Sequence, residues 1–450
     1  MIRQLLWACA AVSILGCVHR MVPRSPFDEA VFQMKQGNPG RAVTLLTTLQ
    51  AENPTNIEIA TLITESYVKA DRALEWDRRL TRSPPAGVPH ALVQYMGGLV
   101  LFAQGAPQRT ESIGRFSQAA LEAPDQPEFV YRLGIALLET HQEKEAIVHF
   151  RKAIALSPNW TAYSLGLARA LLSAGERAEA IQTLSHWLSL NPPAAQIAQA
   201  QEMVNRFDNP FTSLKFPEDA RGELEKGLQW LNEADVPQEA MVNFESILAR
   251  HPDLTVMHGL MGLCYQRLDD SGRAIDEFSQ AISANPTQSL NHFYLAEVYN
   301  SHHRPDSASA EYTRALEFNP LLSQAYARLG EMALEARNLP RAEFLFSTLV
   351  ILEPESIGYH GKLSLVRQLQ QNFEGARQQL GVVLEIEPDN LEFQYRMGLL
   401  LFEMQTAEAD KRKKKTERQE SARWLRKVLL AKPDDALTLQ ALQNLEGAKQ

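Results

Sequence analysis

Cysteine is scarce in this chain of 450 residues, with three copies at Cys9, Cys17 and Cys264. No two of them are spaced as C-x-x-C, and no cysteine or histidine cluster has the spacing of zinc ligands. The sequence therefore supports neither a disulfide framework nor a metal site. A basic excess is lacking as well, because the formal net charge is −9 at pH 7. Since nucleic-acid binding needs a basic surface, we expect no nucleic-acid partner.

Motifs of nucleotide binding and hydrolysis are also absent. The chain contains no G-x-x-x-x-G-K-[ST], G-x-G-x-x-G, G-x-S-x-G or H-E-x-x-H. We therefore predict a protein that is not an enzyme, with no catalytic residues, no cofactor and no small-molecule substrate. An enzyme with an unrecognised site is the alternative, and the missing motifs count against it.

The N-terminus differs from everything that follows. Residues 5–15 form an apolar run interrupted only by Ser13, after a short positive start at Met1-Ile-Arg. The run is shorter than the roughly 20 residues that span a bilayer, but its length is typical of a signal-peptide core. Ile14-Leu15-Gly16-Cys17 resembles the bacterial lipobox, whose cysteine is lipidated. The resemblance implies a lipoprotein signal peptide over 1–16 and a lipid on Cys17, with an ordinary secretory signal or an uncleaved anchor as alternatives.

A regular period runs through the rest of the chain, which indicates an internal repeat. A small residue recurs on each predicted first helix, at Ala30, Thr64, Gly98, Gly134, Ala168, Gly262, Ala296, Gly330, Ser364 and Gly398. From Gly262 to Gly398 every step is 34 residues. A second small residue recurs at Ala42, Ser112, Ala146, Ala180, Ala240, Ala274, Ala308, Ala342, Ala376 and Ser421. A proline closes the units at Pro54, Pro124, Pro158, Pro192, Pro252, Pro286, Pro320, Pro354, Pro388 and Pro433.

These landmarks resemble the tetratricopeptide repeat, a 34-residue helix–turn–helix. The clearest unit reads Tyr131-Arg-Leu-Gly-Ile-Ala-Leu-Leu, then Glu145-Ala-Ile-Val-His-Phe-Arg-Lys-Ala153, then Ser157-Pro158. The resemblance implies an all-α fold, a right-handed superhelical solenoid of about eleven such repeats. Small residues such as Gly134 let two helices approach closely, and proline ends the second helix because it lacks an N–H. We expect Phe150 and its equivalents to fill the gap between neighbouring units.

Departures from the period divide the chain. The step from Pro192 to Pro252 is 60, which is 26 more than one period and predicts an irregular insert over 195–220. An N-terminal array of about five repeats then covers 17–194, and a C-terminal array of about six covers 221–435. The last repeat carries a basic insertion near 405–420. Residues 436–450 are expected to form a capping helix and tail, as solenoids require.

Candidate binding residues follow from the family resemblance, which implies that three positions on each first helix line a concave groove. Aromatic residues at these positions are Tyr95, Phe102, Tyr131, Phe293, Tyr395 and Phe402. Exposed aromatic side chains on a rigid concave surface are typical of peptide-binding grooves. Packing of these rings against the next repeat is the alternative. The family's clamp for chaperone tails needs lysine and asparagine at the first two of these positions, where this chain has, for example, Tyr131 and Ile135, so binding of a chaperone's C-terminal carboxylate is disfavoured.

Two further features have a functional and a structural interpretation. His258, His292 and His360 fall at equivalent places on first helices, where we favour ring packing over a ligand-binding ladder. The basic run 411–415 could attract anionic lipid or an acidic partner. We favour a solvated helix extension for this run, because acidic residues flank it.

The function that follows is a non-enzymatic protein–protein interaction scaffold. As similar lipoproteins do for pilus, secretion, export or peptidoglycan machinery, it would organise or assemble a cell-envelope complex while anchored to the membrane through Cys17. Val18 is not the aspartate associated with inner-membrane retention. We therefore expect the periplasmic face of the outer membrane. The alternative is a cytoplasmic co-chaperone or signalling adaptor.

Overall fold

The computed structural model describes residues 25–209, 211, 216–408 and 410–447. The predicted signal peptide 1–16 and Cys17 lie outside these residues. The described part folds as 24 α-helices without a β-strand, in two compact units whose boundary along the chain lies between Met203 and Val204. The all-α solenoid of helix pairs expected from the repeat is thereby confirmed.

Unit 1 contains five helix pairs among its described residues, and an eleventh helix contains its boundary with unit 2. The helices are α1 Pro26–Lys35, α2 Pro39–Glu52, α3 Ile57–Lys69, α4 Ala73–Arg82, α5 His90–Ala103, α6 Arg109–Glu122, α7 Pro127–Leu138, α8 Glu143–Leu156, α9 Thr161–Ser173, α10 Arg177–Ser189 and α11 Ala194–Asp208. Helix α11 lies at the start of the predicted insert. The proposed limits of the two arrays stay predictions.

Unit 2 continues with six helix pairs in the described residues and one helix after them. The helices are α12 Glu218–Asn232, α13 Pro237–Arg250, α14 Val256–Arg267, α15 Ser271–Ala284, α16 Ser289–Ser301, α17 Pro305–Phe318, α18 Ser323–Glu335, α19 Leu339–Leu352, α20 Ile357–Leu369, α21 Phe373–Ile386, α22 Leu391–Ala407, α23 Lys411–Ala431 and α24 Ala436–Gly447. Helices α22 and α23 are the longer pair that carries the basic run.

The first helices α14, α16, α18 and α20 of unit 2 end in a turn that the repeat places at a fixed distance from the small residue. Asp269, His303, Arg337 and Gln371 recur with the period of the repeat, and all have positive φ, between 53° and 62°. The N–H of the next residue then donates to a carbonyl on the last turn of the helix, as in Asn338 to Ala333 (2.8 Å). This is a Schellman motif, which closes a helix through one left-handed residue.

Helix pairs are held together by a ring packed on a small residue. A Cβ added to Gly134 would lie 2.9 Å from Cε1 of Phe150, and one added to Gly262 would lie 2.8 Å from Cε1 of Phe278. Phe150 also lies beside Gly166 of the next pair, where an added Cβ would be 2.8 Å away. The ring therefore fills the space within its own pair and the space between neighbouring pairs.

The second pair shows how the contact survives when its residues change. Trp76 stands where other pairs have a small residue, and its ring is buried and stacked on Tyr67 at a centroid distance of 4.5 Å. Its indole N–H donates to Oγ1 of Thr64 (3.0 Å), so the buried polar group is satisfied. Trp76 therefore keeps the two helices of this pair packed together through contacts with Tyr67 and Thr64, in place of the ring-on-small-residue contact of the other pairs.

Candidate functional site on the first helices

Two of the six predicted groove rings are buried. Tyr95 is 0% exposed and Tyr131 is 3% exposed. Tyr95 stacks on Phe129 of the next first helix at 4.8 Å, and Tyr131 lies 4.8 Å from Tyr163, also on the next first helix. The expectation that these two rings are exposed is wrong, because each one packs against an aromatic residue of the following repeat.

The other four rings are half-buried and keep accessible surface. Phe102 lies on α5 below the Arg109 guanidinium, which is 5.8 Å from the ring centroid. Phe293 on α16 contacts the rings of its neighbour along the helix and of a tyrosine on α17. Tyr395 and Phe402 lie on α22, where seven residues are about two helical turns and put both rings on one face. These four residues remain candidates for contact with a partner.

Apolar residues occupy the same face of α22 and the equivalent position on the preceding first helix, α20. Leu399 lies between Tyr395 and Phe402 on the same face of α22 and is half-buried. On α20, Leu365 occupies the repeat position equivalent to Leu399 and is 40% exposed. We call Leu365, Tyr395, Leu399 and Phe402 the inner-face patch.

Unit 1 carries a polar network instead, centred on one carboxylate. Glu128 accepts hydrogen bonds from Nε of Arg132 (2.7 Å), from the Tyr163 hydroxyl (3.3 Å) and from the Tyr95 hydroxyl (3.4 Å). The Tyr95 hydroxyl also lies 2.8 Å from Oγ1 of Thr61. The network joins four consecutive first helices and satisfies the polar ends of otherwise buried rings.

Burial shifts the titration of two side chains on α3 in unit 1. It raises the pKa of the Glu65 carboxyl, against the opposing effects of Arg132 and Lys69. It lowers the pKa of the Lys69 ammonium from 10.5 to about 8, while the nearby Glu65 charge acts in the opposite direction. Both shifts follow from loss of water around the charged form.

Ion pairs connect the first helices of unit 2 near Phe293. Arg328 on α18 binds Glu297 on α16 with two hydrogen bonds of 2.9 Å. Glu331, also on α18, pairs with Lys362 on α20. In both pairs the carboxylate belongs to one repeat and the cation to the next repeat along the chain. The first helices of unit 2 therefore present charges of both signs beside aromatic rings.

Two family models for the tetratricopeptide repeat match the chain, over residues 137–204 and 257–288. The first match includes α8 to α10, and the second includes α14 and α15. Both stretches contain the helix pairs that the period predicts. The chain therefore contains tetratricopeptide repeats. Repeats of this family generally form non-catalytic protein–protein interaction scaffolds, and the matched repeats support an interaction scaffold here.

Several solved structures are similar to this chain. YrrB, described as a TPR protein with an unusual peptide-binding site, shares 15% identity at a TM-score of 0.38, over 44% of this chain and 96% of its own. PilF of Pseudomonas aeruginosa shares 14% sequence identity at a TM-score of 0.38, and the match covers 52% of this chain and 98% of PilF. The P58(IPK) TPR domain shares 16% sequence identity at a TM-score of 0.25, and the match covers 80% of this chain and 98% of that domain. No curated protein matches the chain.

The equivalent histidines of this repeat protein fasten loops to helices. Nδ1 of His292 lies 2.6 Å from a Glu311 carboxylate oxygen, and its Nε2 lies 2.9 Å from the carbonyl oxygen of Pro286. His360 makes the matching contact with the Pro354 carbonyl at 3.0 Å. These rings link the loop before a first helix to the second helix of the same repeat. Their surroundings fit the packing interpretation.

Other features of the repeat protein bear on chemistry. Among the residues described, no group of three or more histidine, cysteine, aspartate or glutamate side chains could hold a metal ion. Cys264 is buried on α14, and burial raises the pKa of its thiol to about 12. A thiol in this state is a weak nucleophile. None of the described helices is long and apolar enough to cross a bilayer.

Proposed function

We propose that this scaffold is a lipid-anchored component of a bacterial cell-envelope complex. Cys17 would carry the lipid, and the helix pairs would hold other proteins of a pilus, secretion, export or peptidoglycan machine. The periplasmic face of the outer membrane is the proposed location. The N-terminal pattern Ile14-Leu15-Gly16-Cys17, placed after an apolar run of signal-peptide length, is the observation that supports the anchor.

The proposed partner site is the inner-face patch of unit 2 together with Phe293. Its support is the difference between the candidate rings: Tyr395, Phe402 and Phe293 keep accessible surface, whereas Tyr95 and Tyr131 do not. Half-exposed aromatic rings beside aliphatic side chains are typical anchors of protein interfaces. The neighbouring ion pairs that link α16, α18 and α20 would supply a polar rim.

The anchor is tested by metabolic labelling with a fatty-acid analogue in wild type and in Cys17→Ala. Each buried methylene contributes about 0.8 kcal/mol to membrane binding, so two or more acyl chains give stable attachment. We expect label and membrane association in the wild type, and loss of both in Cys17→Ala. Cys9→Ala is the matched control, because Cys9 lies within the predicted signal peptide, and this variant should keep the membrane association.

Fractionation of the same strains separates the competing locations. Undiminished label in Cys17→Ala would overturn the lipoprotein assignment. Recovery of unlabelled wild-type protein in the cytoplasm would instead favour a co-chaperone or signalling adaptor.

A further inference from the structure

Unit 2 has a cleft on the opposite side of α22 from the inner-face patch. Its volume is about 720 Å³, and it is bounded by α21, α22 and α23. Met397 and Leu401 form its floor, and these residues point away from the face that carries Tyr395 and Phe402, since successive helical residues are about 100° apart. The cleft is therefore separate from the proposed partner site.

Positive charge is concentrated around the cleft. Arg377, Arg423, Arg426 and Lys427 line it, against the single carboxylate of Glu420. The lining thus carries four positive charges and one negative charge in a chain whose net charge is −9. Glu446 and Asp389, which pair with Arg426 and Lys427 from outside the lining, offset part of this charge, and the positive excess that remains favours an anionic occupant.

The cations of the lining are available to a partner to different degrees. Arg423 is exposed and forms no ion pair among the described residues. Arg377 binds Glu420 at 2.9 Å, Arg426 binds Glu446 at 2.8 Å and Lys427 lies 3.6 Å from Asp389, through side chains that are 38–98% exposed. Exposed pairs of this kind add little to stability, because water screens them. A carboxylate from a partner can therefore exchange with the internal acids at little cost.

The walls of the cleft add an apolar component that a simple anion would not use. Trp424 is half-buried, with the Lys427 ammonium 5.7 Å from its ring, and Leu430 is 85% exposed. A leucine this exposed, next to a tryptophan and above Met397 and Leu401, is suited to cover an aliphatic or aromatic side chain. The volume accommodates a few side chains, and a concave site of this size does not match a flat membrane surface.

We infer that this cleft binds an acidic peptide segment of a partner protein, with one apolar side chain inserted between Trp424 and Leu430 and with carboxylates on Arg423 and its neighbours. The cleft would give the scaffold a second contact, independent of the inner-face patch. Because the cationic groups are exposed, binding weakens as salt rises.

The test uses fluorescence anisotropy of the full chain with a labelled peptide in which glutamates flank a central Leu-Phe pair. We expect Arg423→Glu to weaken binding at least about tenfold, since it replaces a charge-assisted contact with repulsion. Leu430→Ser removes only an exposed apolar contact, so it should fold normally and bind several-fold more weakly. Arg412→Glu makes the same charge change on the same helix outside the cleft and should leave the affinity unchanged.

Three results would overturn the inference. One is that the wild type does not bind the peptide, or binds it equally when glutamine replaces glutamate. Another is that Arg412→Glu weakens binding as much as Arg423→Glu, which would assign binding to the basic run 411–415. The third is binding of anionic phospholipid vesicles that Arg423→Glu abolishes, which would make the occupant a lipid surface. Failure of any kind here leaves the inner-face patch and the Cys17 anchor to be tested separately.

Discussion

The ring of Phe150 lies directly against the backbone of Gly134, at a distance that leaves no room for a side chain. A methyl group on Gly134 would place its carbon 2.9 Å from Cε1 of the ring. Gly262 and Phe278 repeat the contact with the same separation along the chain. In the third pair the separation from Gly98 to Phe116 is longer by two positions, and the contact is kept. A short 3₁₀ turn at Ala106–Gln108 accommodates the longer connection.

Gly134→Ala is expected to destabilise unit 1 by about 1–3 kcal/mol, because the buried Phe150 ring cannot move without disturbing two repeats. Gly114→Ala is the matched control in helix α6. An added Cβ there meets nothing within 4 Å, so the higher helix propensity of alanine should stabilise by about 0.5–1 kcal/mol. Chemical denaturation followed by circular dichroism measures both. Equal effects of the two substitutions would contradict the close packing of Phe150.

Tyr95→Ala should behave as a core mutation rather than as a loss of binding surface. Removal of a fully buried ring costs about 3–5 kcal/mol, and it also breaks the hydrogen bonds to Thr61 and Glu128. Phe402→Ala, at a half-exposed position, should cost less than about 1 kcal/mol. Melting temperatures of the two variants distinguish these effects. A Tyr95→Ala protein as stable as the wild type would show that Tyr95 is not a packing residue.

Lys69 should titrate with a midpoint near pH 8, because burial lowers its pKa from 10.5 to about 8. The unfolded chain then holds this proton more tightly than the folded chain between those two values. The contribution of Lys69 to stability therefore rises with pH through that interval. Carbon-13 NMR of the lysine side chains measures the midpoint directly.

The same NMR titration has an internal control. Glu65→Gln removes the negative charge that raises the pKa of Lys69, so the midpoint should move further down. A wild-type midpoint at the ordinary value of 10.5 would mean that the Lys69 ammonium remains solvated. A midpoint that rises in Glu65→Gln would contradict the expectation that the Glu65 charge raises the pKa of Lys69.

Arg337→Gly should stabilise unit 2. Arg337 ends α18 with φ at +53°, a conformation that costs a residue with a side chain about 1 kcal/mol relative to glycine. The gain is partly offset by the larger freedom of glycine in the unfolded chain. The expected net effect is a small rise in melting temperature. Arg341→Gly, inside α19, should lower it, and a fall in both variants would contradict the assignment of strain to Arg337.

The repeat fold was predictable because its constraints act between residues at fixed sequence distances. Gly134, Phe150 and Pro158 belong to one unit, so their spacing is visible without coordinates. The left-handed helix ends of unit 2 were not predictable from composition, because aspartate, histidine, arginine and glutamine fill positions that Gly37, Gly105 and Gly175 occupy in unit 1. Asp and His are nonetheless enriched in this conformation, and the regular spacing of these positions was available.

The exposure of the candidate rings could not be predicted from their repeat positions. Tyr95 and Tyr395 occupy equivalent places, but Tyr95 meets Phe129 of the next repeat and is buried. The cleft was also missed, because it brings Arg377 close to Glu420 across a lengthened repeat. Such contacts depend on the size of side chains in neighbouring units, which no single period reveals.

Photo-crosslinking in the native host tests most directly whether partner proteins bind the first helices of unit 2. A p-benzoylphenylalanine is placed at Phe402 or Tyr395, and at Phe344 as the control, since Phe344 is 65% exposed on the second helix α19. We expect discrete protein adducts from positions 402 and 395 and none from 344. Adducts from 344 alone, or none from 402 and 395 in a folded protein, would contradict it.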